Sequence, residues 1–279
     1  MSELVENKQI FTHKGLSHFA LKHAVEQDYQ RRFLGTVQWN KIKANVQTVA
    51  DRSYTALEKQ FHAALKELVA RPLADAAAKK VFTEFYAKAY TLGLKASGAG
   101  ISQGFSMFRE KSMLPIISVQ ERQWAASAAM GEFKYWKNFM RDIVEERLIR
   151  FSVEQRIGMY VSSLSAQYDA GRVAGAPENS LIHWVTSKQE KCPSCLYLAS
   201  LSPFPKEAVV VVPKSSFTSC RVGCNCKLRI VAATPDEYKM VRAKFPPKTK
   251  VIYRLRRLFN SRTSYNFDRT SNSLKGMIF

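Results

Sequence analysis

Cysteine is missing from residues 1–191 and again from 227–279 of this 279-residue chain. Acidic residues are scarce, 23 Asp and Glu against 43 Lys and Arg, for a formal charge of +20. The longest apolar run near the middle, Ala208 to Val212, is far too short to span a bilayer. The opening residues, Met1 to Lys8, carry no signal-peptide core. The expectation is therefore a protein made in the cytoplasm, soluble and without a membrane partner. No repeat of fixed period is visible, which excludes solenoids and propellers.

Catalytic patterns are equally scarce. Gly98, Gly100 and Gly104 form a glycine-rich stretch, but no Lys-Ser/Thr follows and no strand precedes it, so it reads as a connection, not a phosphate cradle. A zinc deaminase needs His-x-Glu ahead of its cysteines, and Glu190 has no histidine at that spacing. No Ser-His-Asp arrangement or catalytic carboxylate pair stands out. The expectation is a protein that is not an enzyme.

All five cysteines fall in one window: Cys192-Pro193-Ser194-Cys195, 24 intervening residues, then Cys220, Cys224 and Cys226. Two thiolates spaced Cys-x-x-Cys can reach one tetrahedral ion from a single turn, and a second turn supplies the rest. Pro193 restricts the first turn, and Gly223 and Asn225 tolerate the backbone of the second. Thiolate donors suit zinc or an iron–sulfur cluster. Disulfides are the other use of such cysteines, but five is odd and no secretory signal is present. Cys192, Cys195 and Cys220 are the firmer ligands; either Cys224 or Cys226 completes the set. Four thiolates leave no open position for water, so the zinc expected here is structural. His183 is a further candidate ligand, displaced by the five thiols.

The fold class expected is α+β: a mostly helical N-terminal region, a small zinc-stapled module containing β-strands, and a basic C-terminal arm. The domain limits are 1–35 for an N-terminal arm, 36–176 for the helical region, 177–245 for the Cys-rich zinc-binding module and 246–279 for a basic, aromatic tail. His13, His18 and His23 in the arm recur every five residues, which matches neither a helical face nor a ligand pair. A first helix runs from about Trp39 to Ala70, with Ile42, Val46, Val49, Ser53, Leu57, Phe61, Ala64 and Leu68 in phase. His62 beside Phe61 is expected to pack. Arg71-Pro72 breaks the helix. The second, about Leu73 to Lys95, places Ala77, Val81, Phe85 and Ala89 on one face, and the short break implies an antiparallel pair.

Ser118 to Glu121 and Ser152 to Gln155 read as capping boxes opening two more helices. The third carries Trp124, Ala128, Phe133, Trp136, Met140 and Ile143 to about Leu148, with Gly131 as a soft spot. The fourth carries Val153, Ile157, Tyr160, Leu164 and Tyr168 and stops in the stretch Ala170 to Pro177. Trp124, Trp136 and Tyr160 could serve as a base-stacking platform, but on amphipathic stripes they read as core. Leu181–Val185, Ala208–Val212 and Cys226–Val231 read as strands. Pro235 to Phe245 reads as a short helix with acidic residues in its first turn.

In the tail, Lys248, Lys250, Arg254, Arg256, Arg257, Arg262, Arg269 and Lys275 face only Asp268, interleaved with Tyr253, Phe259, Tyr265, Phe267 and Phe279. Basic residues release counterions from phosphates and aromatics stack on bases, so the arm is a candidate nucleic-acid contact or a docking segment for a partner. An acidic protein surface is the other polyanion it could meet.

Tyr168-Asp169-Ala170-Gly171-Arg172, Trp184 shortly before Cys192-x-x-Cys195, and the closing Cys224-Asn225-Cys226-Lys227-Leu228 together resemble the minor head proteins of tailed bacteriophages, the Mu F-like head morphogenesis family. The resemblance covers about residues 150–232. Many members place a histidine before the closing Cys-x-Cys, where this chain has Cys220. The resemblance implies a low-copy virion protein of the head near the portal vertex, assembled in the host cytoplasm. Its partners would be portal or major capsid protein, in an oligomer imposed by the portal, and packaged DNA. The alternative is a cytoplasmic nucleic-acid-binding protein of zinc-ribbon type, although only Lys206 and Lys214 lie between the two cysteine groups.

Overall fold

The computed structural model describes residues 36–71, 75–97, 118–147, 152–187, 192–209, 211–215, 218, 220 and 223–245. The expectations for His13, His18 and His23, for Pro72, for the glycine-rich stretch and for the C-terminal tail lie outside these residues.

Four long helices make the N-terminal body: α1 (Thr36–Ala70), α2 (Asp75–Ala96), α3 (Val119–Val144) and α4 (Val153–Gly175). Both capping boxes exist. Ser118 Oγ accepts from the Glu121 N–H and Glu121 returns the bond; Ser152 and Gln155 do the same. Each box satisfies two backbone donors that the first turn leaves free. One core joins all four helices. Phe61 from α1, Phe82 and Tyr86 from α2, Trp136 and Phe139 from α3, and Tyr160 and Leu164 from α4 are all buried in it. The rings meet mostly edge to face, as with Phe82 and Tyr160 at 6.0 Å and 88°. Trp136 and Tyr160 are therefore core side chains, and Trp124 is half-buried.

Leu57, Phe61, Leu68 and Ala89 are buried as expected, but elsewhere the buried faces lie about one residue from the expected positions. On α1, Ala50, Tyr54 and Leu65 are buried, whereas Val49 and Ala64 are not. On α2, Ala78, Phe82, Tyr86 and Ala89 are buried; Ala77 is exposed and Val81 and Phe85 only half-buried. Large rings decide the facing, because each removes far more apolar area from water than an alanine. His62 does not pack inward: its Nε2 lies 2.8 Å from Glu154 of α4.

Helix α3 ends at Val144, short of Leu148, where Glu146 takes a positive φ of 51°. Helix α4 ends at Gly175, with Ala176 as C-cap, inside the expected stretch Ala170 to Pro177. Gly171 packs within the helix, against the backbone of α2.

After α4 the chain forms a three-stranded antiparallel sheet in the order β2-β1-β3. The strands are β1 (Ser180–Val185), β2 (Phe204–Pro205) and β3 (Lys227–Ala232). Between β1 and β2 lies α5 (Pro193–Leu201), and after β3 comes α6 (Pro235–Ala243). Trp184 pairs with Leu228 and Ile182 with Ile230, so one face of the sheet carries the apolar side chains. None of the described residues of the run Ala208–Val212 lies in a strand. Its first residue closes a 3₁₀ turn, Lys206–Ala208, and Val209 and Val211 are buried without a ladder partner. The run was legible as buried, but the sheet already takes its third strand from the short Phe204–Pro205 pair. Among the described residues, no helix is long and apolar enough to cross a membrane.

Candidate metal centre

The cysteine cluster sits at the heart of the second core, formed by Ile182 and Trp184 of β1, Leu228 of β3, Leu198 of α5 and the buried Val209 and Val211. Cys192 is the N-cap of α5 and Pro193 occupies its first turn, so the Cys-x-x-Cys segment opens a helix and is not a free-standing turn. Cys195 therefore stands one turn into α5 and points to the same end as Cys192. Cys224 and Cys226 lead directly into β3.

The sequence-predicted thiols all arrive together. Cys192, Cys195 and Cys220 form one group in which the sulfurs lie within 4.8 Å of one another; Cys195, Cys224 and Cys226 form another. Cys195 belongs to both. Its Sγ is 3.4 Å from that of Cys220 and 3.5 Å from that of Cys224. A zinc–sulfur bond of about 2.3 Å gives a tetrahedron with edges of about 3.8 Å, so the thiols are spaced as ligands of one ion would be. None is paired in a disulfide. Cys195, Cys224 and Cys226 are buried, Cys192 and Cys220 half-buried. The cluster is positioned to hold a metal ion. Among the described residues, His183 joins neither group and lies opposite Arg229 on the sheet.

Burial pushes the Cys220 thiol up to about 12 and, with the neighbouring sulfurs, the Cys195 thiol further still. Burial acts the same way on Cys192, but hydrogen bonds from the Cys195 backbone and from Cys220 outweigh it and hold that thiol below its ordinary range. Low-pKa thiols at helix N-termini are favoured by the backbone N–H groups there. A cation among these sulfurs would replace the protons that burial retains.

Sequence reasoning missed three supporting features. Helix α5 is one, because Pro193 between two cysteines reads as a turn. Thr218 is another: it is buried, and its Oγ1 lies 3.5 Å from the Cys220 sulfur. The third is the joint with the helical body. Arg172 of α4 forms an ion pair with Asp169 at 3.0 Å and donates to the Leu228 carbonyl of β3 at 3.5 Å. Lys206 donates to the Ala176 carbonyl at 2.5 Å. Val173, one turn from the end of α4, is buried in the cysteine module's core. The candidate nucleic-acid contacts Lys248, Lys250, Arg254, Arg256, Arg257, Arg262 and Arg269 lie outside the described residues.

Comparison with known proteins yields no match: no family model, no curated protein and no solved structure matches this chain. What defines the protein structurally is a four-helix body joined to a small sheet with a five-cysteine cluster.

Proposed function

We propose that this is a structural, non-enzymatic protein of the tailed-bacteriophage virion, a minor head protein near the portal vertex. In this reading the cysteine cluster holds one structural zinc and the helical body meets portal or capsid protein. The basic C-terminal arm contacts packaged DNA. The observation that carries the reading is the convergence of all five thiols at the foot of α4. The stretch with the family resemblance, Tyr168 to Leu228, contributes both the Arg172 joint and the cluster. The net charge of +20 supports the polyanion contact. Thiolate donors without a histidine or carboxylate favour zinc over harder cations. A small module of this kind draws much of its folding free energy from its metal.

The test joins elemental analysis of the purified protein to its position in fractionated virions. One zinc per chain and co-migration with heads would support the proposal. Zinc in a protein that stays in the cytoplasm would favour a zinc-ribbon nucleic-acid binder, and a metal-free protein would remove the staple altogether.

A further inference from the structure

A tetrahedral zinc takes four of the five thiols and leaves the fifth without a use. The sulfurs themselves are arranged as two triangles that share a corner. Cys192, Cys195 and Cys220 make one and Cys195, Cys224 and Cys226 the other, with every sulfur of a triangle within 4.8 Å of the other two. At the shared corner, Cys195 Sγ is 3.4 Å from Cys220 in the first triangle and 3.5 Å from Cys224 in the second. The second triangle is buried throughout, while Cys192 and Cys220 of the first are half-buried. Among the described residues no histidine or carboxylate joins either group.

We propose that the cluster also binds a pair of monovalent copper ions, one in each triangle, with the Cys195 thiolate bridging them. Copper(I) is a soft ion with a filled d shell, selected by thiolates and satisfied by three of them in a plane. With a metal–sulfur bond of about 2.3 Å, like that of zinc, a trigonal site has sulfur edges of about 4.0 Å, which both triangles can meet. A thiolate keeps lone pairs enough to bind two such ions. Ile182, Trp184, Leu198 and Leu228 pack around the sulfurs. An apolar shell offers no water as a fourth ligand and limits the access of oxidants to copper(I). Starting from the zinc form, the fifth thiol gives its proton to solvent as the second ion enters. The inference rests on the metal-binding reading of the cluster and not on the virion reading.

The probe is copper(I), added without oxygen as its acetonitrile complex to the full-length, zinc-loaded protein. A chromophoric indicator reads the zinc released, and elemental analysis after desalting counts the copper retained. Two coppers should replace one zinc, and X-ray absorption should show a copper–copper vector. Cys226→Ser keeps four thiols and should still hold zinc, yet its copper should fall from two to one. Cys224→Ser should do the same and serves as the independent second variant. Cys195→Ser leaves two separate pairs of thiols, so the copper–copper vector should vanish even if copper is retained. One copper per chain in the wild type would overturn the inference while leaving the structural zinc in place. So would two coppers in both Cys226→Ser and Cys224→Ser, or a wild-type cluster with no copper–copper vector. A protein that takes up neither metal would remove the zinc reading together with this one.

Discussion

Gly93 and Gly171 face each other's helices at the same crossing. A Cβ on Gly93 would lie 2.0 Å from the Tyr168 carbonyl oxygen of α4, and a Cβ on Gly171 would lie 2.1 Å from the Tyr90 carbonyl oxygen of α2. Both obstacles are backbone, which cannot swing aside as a side chain can. The two helices touch main chain to main chain because neither carries a side chain there. Gly93→Ala or Gly171→Ala forces them apart, and overpacking of this kind costs about 1–3 kcal/mol or more, enough to reverse the gain of about 1 kcal/mol that alanine brings to a helix interior. Gly158 lies in α4 with nothing within 4 Å of its missing Cβ. Gly158→Ala should therefore stabilise by about 0.5–1 kcal/mol. Denaturant midpoints of the three variants check the opposite signs.

Cys195 is common to both thiol groups, so no set of neighbouring sulfurs survives its loss. Cys192→Ser with Cys195→Ser should release the metal and expose residues 180–232 to protease while the four long helices keep their circular dichroism. Single replacement of the spare thiol, Cys224 or Cys226, should leave the metal content unchanged. Elemental analysis with limited proteolysis reads both; a double variant as protease-resistant as the wild type would rule out a structural metal.

Arg172 and Asp169 are both largely shielded from water, at 21% and 16% side-chain exposure. Burial raises the Asp169 carboxyl while Arg172 opposes that shift. Arg172→Ala leaves the carboxyl unpaired and frees the Leu228 carbonyl as well. Loss of one partner of a buried pair predicts a cost of about 3 kcal/mol, measured by urea unfolding. Arg172→Lys should recover only part of it, since a single ammonium cannot copy the planar fork.

Lys66 hydrogen-bonds Glu154 at 3.0 Å and, with His62, holds its carboxyl below the usual glutamate range. A depressed carboxyl binds fewer protons in the folded than in the unfolded state. Its contribution is therefore present above the ordinary pKa and lost as pH falls through the folded value. Glu154→Gln should lower the melting temperature near neutral pH, and the difference from wild type should close in acid. A difference that persists unchanged in acid would mean the ion pair is not its source.

Deleting residues 246–279 removes eight basic residues and one acidic residue. DNA affinity should fall, and the dependence of log K on log salt should flatten, because that slope counts the phosphates neutralised. An unaltered slope would assign the phosphate contacts to another part of the surface.

Local signals were the most legible. Ser118 and Ser152 announced their helices because a capping box is complete within four residues. The cysteine spacing announced the cluster. Tertiary neighbours decided what the sequence could not. The stretch Ala170 to Pro177 was legible as the end of α4, but the close approach of Gly171 to the α2 backbone was not, because it depends on Gly93 of another helix. Ala77 and Ala78 are equal candidates for the core face of α2 until Phe82 and Tyr86 turn the helix. Ala208–Val212 has strand-like residues, but the chain leaves β2 through the 3₁₀ turn Lys206–Ala208, and Val209 and Val211 after it are buried by packing and not by pairing.

Helix α4 belongs to both cores, with Ile157 to Tyr168 in the helical body and Val173 in the cysteine module. Its 23 residues span about 34 Å at the usual helical rise. It is thus a strut built into two foundations. A tug or tilt applied to the body reaches the thiol cluster as rigid displacement, diminished only by how far one helix bends. Any partner that seats the body thereby aims the module.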